Sequence, residues 1–351
     1  MGIPIKATMS GGEATGFAEM RPDDPMASNL LANYSSKNKF INANFGIWQR
    51  ATSQVNMGGY CVDRHIGNRS NVTAPISRID LGPANPTGRW GCRISVTATS
   101  GTHGCNFGQK IENVGTFSGQ QVTLSLKAAA DVAGKKLGVR VIQSFGAGGS
   151  ATVTTEVGVF TLANTHSVQS LSFVVPPISG KILGSDNNDC LWIILDFADS
   201  SAHGGQLSGQ LGVYDLDYWQ LEVGPNSTHL DERDPAVEFM ICQRFYQITS
   251  MQGVTGVTFT TNGDTRCTRN LRVKMRATPS FGYTGSLDVI GQGPDGTFLN
   301  INLGTLSVSA SSEIVAIGGV SNIVPLQAGG GVVTWGDNRA NFCNIHTDAE
   351  L

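Results

Sequence analysis

Carboxylates are the side chains in this sequence with the clearest potential for chemistry. Hydrolysis of a glycosidic bond needs two carboxyl groups on either side of a cleft, one as acid and one as nucleophile or base. Asp215 and Asp217 share one face of a predicted strand and could lie side by side. No repeat-built β-helix accompanies them, so the sequence predicts that the protein is not an enzyme. The candidate acids are Glu112, Asp196, Asp215, Asp217 and Glu222.

Motifs for nucleophiles, metals and cofactors are weak. His103 lies close to Cys105, but no further ligand follows at metal spacing. Residues 186–189 (DNND) offer oxygen ligands to a calcium ion, yet they lack the spacing of an EF-hand loop and are typical of a turn. Residues 146–151 match the dinucleotide fingerprint G-x-G-x-x-A, but a strand-like segment follows, so a hairpin loop is predicted. No catalytic residue, metal or cofactor is predicted, and calcium at 186–189 is left open.

Aromatic side chains are the other candidate functional groups, because a flat ring can pack against the apolar C–H face of a sugar. Trp192 lies within the apolar run 191–197, and Trp219 lies within a predicted strand, so both are predicted to be in the core. Three aromatic residues are the candidate glycan-binding residues: Trp48, Trp90 and Tyr60.

The composition indicates a β-rich protein without a nucleic-acid or membrane partner. Charged residues make up 15% of the chain, below the usual quarter, while glycine reaches 44 residues. The net charge of −3 gives no electrostatic reason to bind nucleic acid or an anionic membrane. No apolar stretch approaches the roughly 18 residues of a membrane helix. Residues 1–10 lack a secretory signal, so folding in a cytoplasm is expected, and the 7 scattered cysteines are predicted to be buried free thiols.

Alternation of apolar and polar residues marks strands with one buried face. The alternation is clean at 122–126, 137–141 and 171–175, and the run 191–197 is typical of a more central strand. Turn clusters, and no helices, separate these runs. The sequence therefore predicts an all-β fold in which residues 37–233 form an antiparallel, jelly-roll-like β-sandwich.

One helix is predicted after the sandwich. Asp234 is a suitable N-cap, Pro235 fits the first helical position, and Val237 and Met240 begin an apolar series at helical spacing. We expect a linker helix within residues 234–248 and a second, smaller β-domain over residues 249–351. The predicted strands of that domain lie near residues 271–275, 280–283, 287–290, 313–317 and 331–335.

Residues 1–36 differ from the rest of the chain. They contain a turn signal at residues 10–12, a charged cluster at residues 21–25 and little periodicity. We interpret them as an extended arm rather than a domain, with a disordered leader as the alternative. Because such a segment cannot bury enough surface alone, an ordered arm must pack on a partner.

Several segments in a fixed order resemble one known family, the tail-fibre and receptor-binding modules of tailed bacteriophages. The departures are mild: Ala43 and Gly46 stand where the family more often has glycine and aspartate, and His65 stands where an aromatic residue is common. The similar segments are KFINANFGIWQRATS (39–53), YCVDR (60–64), GQKIE (108–112), GQQVTLS (119–125), QLEVG (220–224), ICQRFY (241–246), VKMRATP (273–279) and DAEL (348–351).

The resemblance implies a carbohydrate-binding-like sandwich at or near the tip of a virion appendage, commonly a homotrimer. We therefore expect a non-catalytic virion protein, made in the cytoplasm of the bacterial host. Its arm would dock onto other virion proteins, and its β-domains would bind host cell-surface glycan. The segment Trp48–Arg50 is also interpreted structurally, as a lock on Asp63 and Arg64 through a charge-assisted pair.

Two alternatives stay open. One is a purely structural virion protein, in a collar, a baseplate or a capsid decoration, without a receptor role. The other is a glycan depolymerase, which requires two carboxylates across a cleft.

Overall fold

The structure is a computed structural model. It describes residues 5–10, 13–19, 37–250, 255–258, 264–284, 288–292, 298–302, 305–310, 314–320, 331–334 and 344–351, with side chains for residues 37–250, 268–283, 314 and 344–351. Within these ranges the chain is almost entirely antiparallel β-strand, which confirms the all-β prediction. No helix in the described part of the chain is long and apolar enough to cross a membrane.

The N-terminal arm contains a β-hairpin. Strands β1 (Ile5–Ser10) and β2 (Glu13–Glu19) pair antiparallel, with Ile5 opposite Glu19 and Ser10 opposite Glu13. Strand β1 ends at the first residue of the predicted turn signal. Residues 5–19 are therefore folded back on themselves rather than extended as one segment, and residues 20–36 lie outside the described residues.

Two six-stranded antiparallel sheets form the sandwich. Sheet I contains, in spatial order, β11 (Val153–Thr161), β10 (Lys136–Ser144), β13 (Cys190–Asp199), β8 (Ala98–Glu112), β5 (His65–Thr73) and β4 (Gly59–Tyr60). Sheet II contains β12 (Ser167–Val174), β9 (Gln121–Ala130), β14 (Gly212–Val223), β7 (Trp90–Val96), β6 (Ile76–Asp80) and β3 (Ser53–Gln54).

The core lies between the two sheets and includes an aromatic cluster. Trp219 of β14 is fully buried, as predicted, and its ring stacks on Phe40 with centroids 3.8 Å apart. His65 stacks on Phe107 at 5.3 Å, and its Nε2 accepts the indole N–H of Trp219 at 3.1 Å. Burial lowers the pKa of His65 to about 3, so the ring is neutral. His65 thus packs as an aromatic residue in the core.

The one α-helix of the described chain is α1 (Pro235–Gln243), and a short 3-10 helix lies at Ala202–Gly205. The Asp234 side chain caps α1 by accepting the backbone N–H groups of Ala236 and Val237, as predicted. The helix does not continue to residue 248, because residues 246–250 form strand β15 (Tyr246–Ser250).

The predicted apolar stripe of the helix does not face the core. Val237 and Met240 are exposed, with fractional exposures of 49% and 55%, whereas Glu238 and Cys242 are buried. Glu238 is buried because Arg233 pairs with it at 3.0 Å and because it accepts the backbone N–H of Asn42. A polar anchor, rather than apolar periodicity, sets the orientation of this short helix.

The remaining strands form two further sheets. The smaller has the spatial order β15, β24 (Asn344–Asp348), β18 (Ser280–Thr284). The larger contains β20 (Phe298–Asn302), β19 (Asp288–Gln292), β23 (Gly331–Thr334), β16 (Thr255–Thr258), β17 (Asp264–Asn270), β22 (Ile314–Val320) and β21 (Thr305–Ala310).

Four predicted strands of this region coincide with β18, β19, β22 and β23, although Leu287, Glu313 and Trp335 lie outside the described residues. The strand predicted at residues 271–275 is wrong. Leu271 and Met275 are buried there, but the Gln247 side chain, rather than a neighbouring strand, holds this backbone. It accepts the N–H of Arg272 at 3.1 Å and donates to the carbonyl oxygen of Val273 at 2.5 Å.

Candidate functional site

The outer face of sheet I presents a tryptophan. Leu191, Ile193 and Leu195 of β13 face the core, so the residues between them point to the opposite side of the sheet. Trp192 is one of these and is half-buried, which corrects the prediction that it lies in the core. Its neighbours across the sheet are Ile142 of β10 and Lys110 of β8.

The indole of Trp192 lies against the backbone of β8 at Gly108. A Cβ atom at position 108 would be only 2.8 Å from the indole nitrogen, so the missing side chain makes room for the ring. The ammonium group of Lys110 is 5.3 Å from the ring centroid. Next to Gly108 in the ladder is Ile66 of β5. We call Trp192, Gly108, Lys110, Ile142 and Ile66 the Trp192 platform.

Hydrogen-bonding side chains continue this face beyond the platform. Asp196, Asn106 and Asn68 stand side by side on β13, β8 and β5. The amide group of Asn68 donates to Asn106 over 3.4 Å, a weak bond that leaves both amides with spare hydrogen-bonding capacity. The platform therefore combines an aromatic and aliphatic surface with neighbouring amides, the kind of surface that a sugar can contact by ring packing and by hydroxyl hydrogen bonds.

A buried ionic cluster closes the other end of the face. The Arg140 guanidinium donates to both oxygens of Asp196, at 2.7 and 2.5 Å. The imidazole of His203 contacts the same carboxylate at 3.0 Å from the loop that follows β13. Asp199 begins that loop and accepts the backbone N–H groups of Ser201 and Ala202. These contacts hold the loop on the sheet and occupy Asp196, one of the candidate acids.

The three predicted glycan-binding residues lie on separate elements and make contacts within the protein. The indole N–H of Trp48 donates to the Phe45 carbonyl at 2.6 Å, and the ring packs on the core. The Tyr60 hydroxyl donates to the main-chain oxygen of Leu351 at 3.1 Å. Trp90 begins β7 of sheet II, and its ring faces the guanidinium groups of Arg78 at 4.1 Å and Arg89 at 5.1 Å.

The structural interpretation of Trp48–Arg50 is confirmed by its contacts. The backbone N–H of Gln49 donates to Asp63 at 2.7 Å, and Arg50 forms an ion pair with Asp63 at 3.4 Å. Arg50 also reaches the C-terminal tail, where it pairs with Asp348 at 2.9 Å and with Glu350 at 3.4 Å. Its guanidinium group therefore bridges the first segment of the sandwich and the last strand of the chain.

Arg64 makes a second and more deeply buried link to the tail. Its side chain is 1% exposed and forms an ion pair with Glu350, which is 5% exposed. The guanidinium group also donates to the carbonyl oxygen of Lys110 at 2.8 Å and lies 3.4 Å from the centroid of the Phe245 ring. Burial lowers the pKa of Arg64 to about 10, so the side chain is charged at neutral pH and needs its carboxylate partner.

Asp63 gives the protein a pH dependence that can be measured. Burial raises its pKa to about 6, although Gln49 and Arg50 oppose the shift. A carboxyl group with a raised folded-state pKa adds stability below its unfolded pKa of about 4, and that stability is lost as the pH rises through the folded-state value. Asp63→Asn removes the titrating group, so the difference in the free energy of unfolding between the wild type and this variant isolates its effect. We expect this difference, wild type minus variant, to fall by about 2 to 3 kcal/mol between about pH 4 and pH 7. Urea unfolding at several pH values measures this difference, and a flat or rising difference would contradict the assignment.

The candidate acids are held by contacts within the protein. Strand β14 has a bulge between Leu216 and Tyr218, which takes Asp217 out of line with Asp215. Each acid instead has its own partners: Arg93 for Asp215, Lys127 and Thr87 for Asp217, Arg244 and Arg276 for Glu112, Thr228 and Gln220 for Glu222, and Arg140 and His203 for Asp196.

The weaker motifs of the sequence have structural roles. Cys105 is in the core with its sulfur 3.7 Å from that of Met57, while His103 accepts the N–H of Gly209. The glycine-rich segment 146–151 lies between the antiparallel strands β10 and β11, as the hairpin prediction required. Five cysteines are free and buried, as predicted, and the side chains of Cys267 and Cys343 lie outside the described residues.

Residues 186–189 form an exposed turn. Asp186 accepts the N–H of Asn188 at 3.2 Å, and Asp189 accepts that of Val114 at 2.8 Å. Arg276 donates to the carbonyl oxygen of Asn187 at 2.8 Å. Among the residues whose side chains are described, no group of three or more His, Cys, Asp or Glu is arranged to hold a metal ion.

Sequence reasoning missed Trp192, although a signal was present. In the run 191–197, Asp196 and Trp192 both occupy even-numbered positions, while the odd-numbered positions are all large and apolar. A charged residue at an even position indicates that the even positions face away from the core. Trp192 should therefore have been preferred as a surface aromatic residue.

Comparisons with known proteins add an architectural likeness. No protein-family model matches the chain, and no curated protein matches it in sequence. The enzymatically active domain of tailspike protein 4 of bacteriophage CBA120 is similar over 54% of this chain and 22% of its own length, at 13% identity and a TM-score of 0.33. A CBM4 carbohydrate-binding module is similar over 52% of this chain and 98% of its own, at 15% identity and a TM-score of 0.31.

A third solved structure of this kind is the family 11 carbohydrate-binding module of the cellulase Lic26A-Cel5E of Clostridium thermocellum. It is similar over 52% of this chain and all of its own length, at 10% identity and a TM-score of 0.30. The chain spans about a fifth of the tailspike domain, which is 22% covered. These likenesses assign neither a ligand nor a role to this chain.

Proposed function

We propose that the protein is a non-catalytic component of a phage virion appendage, of the tail-fibre type, that binds host cell-surface glycan through the Trp192 platform. The observation that carries the proposal is a tryptophan on the outer face of sheet I, seated over a glycine and followed by the amides of Asn106 and Asn68. The sequence resemblance to tail-fibre and receptor-binding modules supports the virion location.

The chemistry of the platform fits a sugar. The C–H face of a pyranose is apolar and packs on an indole, while its hydroxyl groups need donors and acceptors at the rim. Ile142 and Ile66 extend the apolar surface on either side. The side-chain amides of Asn106 and Asn68 offer both N–H donors and carbonyl acceptors. Such an open site binds weakly, so a homotrimer would gain from simultaneous engagement of several copies.

The N-terminal hairpin supports docking of the arm onto other virion proteins. Among the residues that the structure describes, its sheet consists of the two strands β1 and β2. A two-stranded hairpin is marginally stable in water, so it gains order by packing on a larger surface. A partner in the particle would provide that surface.

Replacement of Trp192 tests the glycan-binding role. We expect Trp192→Ala to weaken binding of the full chain to host cells about tenfold or more, because a buried aromatic anchor contributes on the order of 2 kcal/mol. Trp90→Ala is the matched control, since it removes another half-buried tryptophan from the other sheet. Binding is measured with fluorescently labelled protein, and reducing sugar is followed in the same samples.

Each outcome decides between functions. Loss of binding in Trp192→Ala alone, without released sugar, supports the proposal. Loss in Trp90→Ala alone moves the site to the residues predicted from sequence. Released reducing sugar favours a depolymerase, and no binding by the folded wild type favours a purely structural virion protein.

A further inference from the structure

A concave feature adjoins the Trp192 platform. It is a cleft of ≈ 370 Å³ where the end of β8 meets the segment before β3 and helix α1. Lys110 belongs to both features, because it lines the cleft and its ammonium group is 5.3 Å from the centroid of the Trp192 ring. The charged residues that line the cleft are Lys39, Arg64, Lys110, Glu112 and Arg233.

Two of the four cations that line the cleft have carboxylate partners, since Arg64 pairs with Glu350 and Arg233 pairs with Glu238 at 3.0 Å. The positive charge of the cleft therefore comes from its two lysines, Lys39 and Lys110. The one carboxylate of the lining, Glu112, is already paired with Arg244 and with Arg276, the latter at 3.2 Å. Lys110 donates to a main-chain oxygen, that of Leu351, at 2.6 Å. Lys39 is exposed and, among the residues whose side chains are described, has no carboxylate within ion-pair distance. The cleft is therefore cationic although the whole chain has a net charge of −3.

Two buried donors next to Lys110 lack acceptors. The Nε–H group of Arg64 and the indole N–H of Trp192 are buried and have no hydrogen-bond partner among the described residues. Arg64 lines the cleft, and its side chain is only 1% exposed. An unsatisfied buried donor costs on the order of 1 to 3 kcal/mol, and more when it is charged, so an acceptor oxygen that reached Arg64 from the cleft would gain this energy.

We propose that the cleft is a subsite for the carboxylate of an acidic sugar whose neighbouring ring packs on the Trp192 platform. The inference rests on the proposed function and specifies its ligand class: an acidic glycan rather than a neutral one. Lys39 and Lys110 supply the charge, since a carboxylate gains more from fixed cations at a partly closed site than in open water.

A pair of matched probes tests this inference on the full chain. Hexagalacturonate carries a carboxylate on every ring, and its full methyl ester keeps the backbone but removes the charge. We expect the acid to bind about three- to tenfold more tightly than the ester by isothermal titration calorimetry, and the difference to shrink as salt is added.

A charge reversal locates the subsite. Lys39→Glu is expected to weaken binding of the acid about three- to tenfold and to leave binding of the ester unchanged. Lys37→Glu is the matched control, because Lys37 is exposed, is close in sequence and does not line the cleft.

Equal binding of acid and ester, equal effects of the two reversals, or no binding of hexagalacturonate would each overturn the acidic subsite. The proposed function is judged separately. If Trp192→Ala still abolishes binding to host cells, glycan binding stands and the ligand is neutral at this position.

Discussion

Replacing Glu350 by glutamine is expected to reduce the free energy of unfolding by about 3 to 5 kcal/mol, the cost of leaving a buried charge without its partner. Glu350 pairs with Arg64, whose side chain is only 1% exposed. The Phe245 ring at 3.4 Å covers the guanidinium group but cannot replace a full negative charge. Urea unfolding followed by tryptophan fluorescence measures the loss.

A control on the same tail separates burial from charge. Asp348→Asn removes a carboxylate that is 36% exposed and pairs with Arg50 at 2.9 Å. An exposed ion pair contributes about 1 kcal/mol or less, so this variant should lose little stability. If both variants lose the same small amount of unfolding free energy, the Arg64–Glu350 pair contributes no more to stability than an exposed ion pair.

Neutralising both partners tests the pairing directly. The double variant Arg64→Met with Glu350→Gln has no orphan charge, so it should lose less stability than the sum of the single variants, by about 1 to 3 kcal/mol. Strict additivity would mean that the two side chains stabilise the protein independently.

The Arg64–Glu350 pair also connects segments that are far apart in the sequence. Asp63 contacts the segment that begins the sandwich, through Gln49 and Arg50. The same Arg50 and Arg64 hold the tail at Glu350. The segments at 39–53, 60–64 and 348–351 therefore meet at one ionic junction.

The sandwich could be predicted from sequence because its signal is local. Strands such as β10 and β12 alternate with period two, and pleating turns that alternation directly into a more buried and a more exposed face. The prediction failed where a distant side chain decides the local structure. Leu271 and Met275 have the apolarity of a strand, but Gln247 holds the segment through its amide group, and no local pattern shows that contact.

The candidate site was harder to predict. The exposure of a strand residue depends on which face of the sheet its position falls on, and on neighbouring strands that are distant in the sequence. Trp192 sits in so apolar a run that hydrophobicity alone indicates burial, and only the parity of Asp196 indicates otherwise. Gly108, which receives the indole, is more than eighty positions earlier, so the pairing of β8 with β13 had to be known first. The polar residues around Trp48 favoured a surface position for it, but its indole N–H donates to the backbone of its own turn.

Gly108 connects the fold to the site, and Gly108→Ala is expected to impair both. A methyl group there would meet the Ile193 carbonyl oxygen and would lie 3.1 Å from Cα of Ile194 and 2.8 Å from Nε1 of Trp192. The first two atoms are backbone of the paired strand and cannot move without breaking the ladder. We expect a loss of about 1 to 3 kcal/mol in the free energy of unfolding. Urea unfolding measures it.

Gly104→Ala is the matched control on the same strand, since the added Cβ would meet only the Asp199 carboxylate at an ordinary 3.5 Å. It should change stability by no more than about 0.5 kcal/mol. An equal loss in the two variants would show that an added methyl group destabilises β8 at either position, and would remove the special role of position 108.

The binding effect of Gly108→Ala separates a displaced indole from a weakened sheet. If the methyl group acts by pushing Trp192 off the backbone of β8, it must weaken glycan binding in the wild type and add nothing once Trp192 is already alanine. Two residues that act through one contact are strongly non-additive in this way. Additive losses across the four variants, measured on folded protein without denaturant, would mean that Gly108 shapes another part of the face. The glycan would then contact more of sheet I than the Trp192 platform.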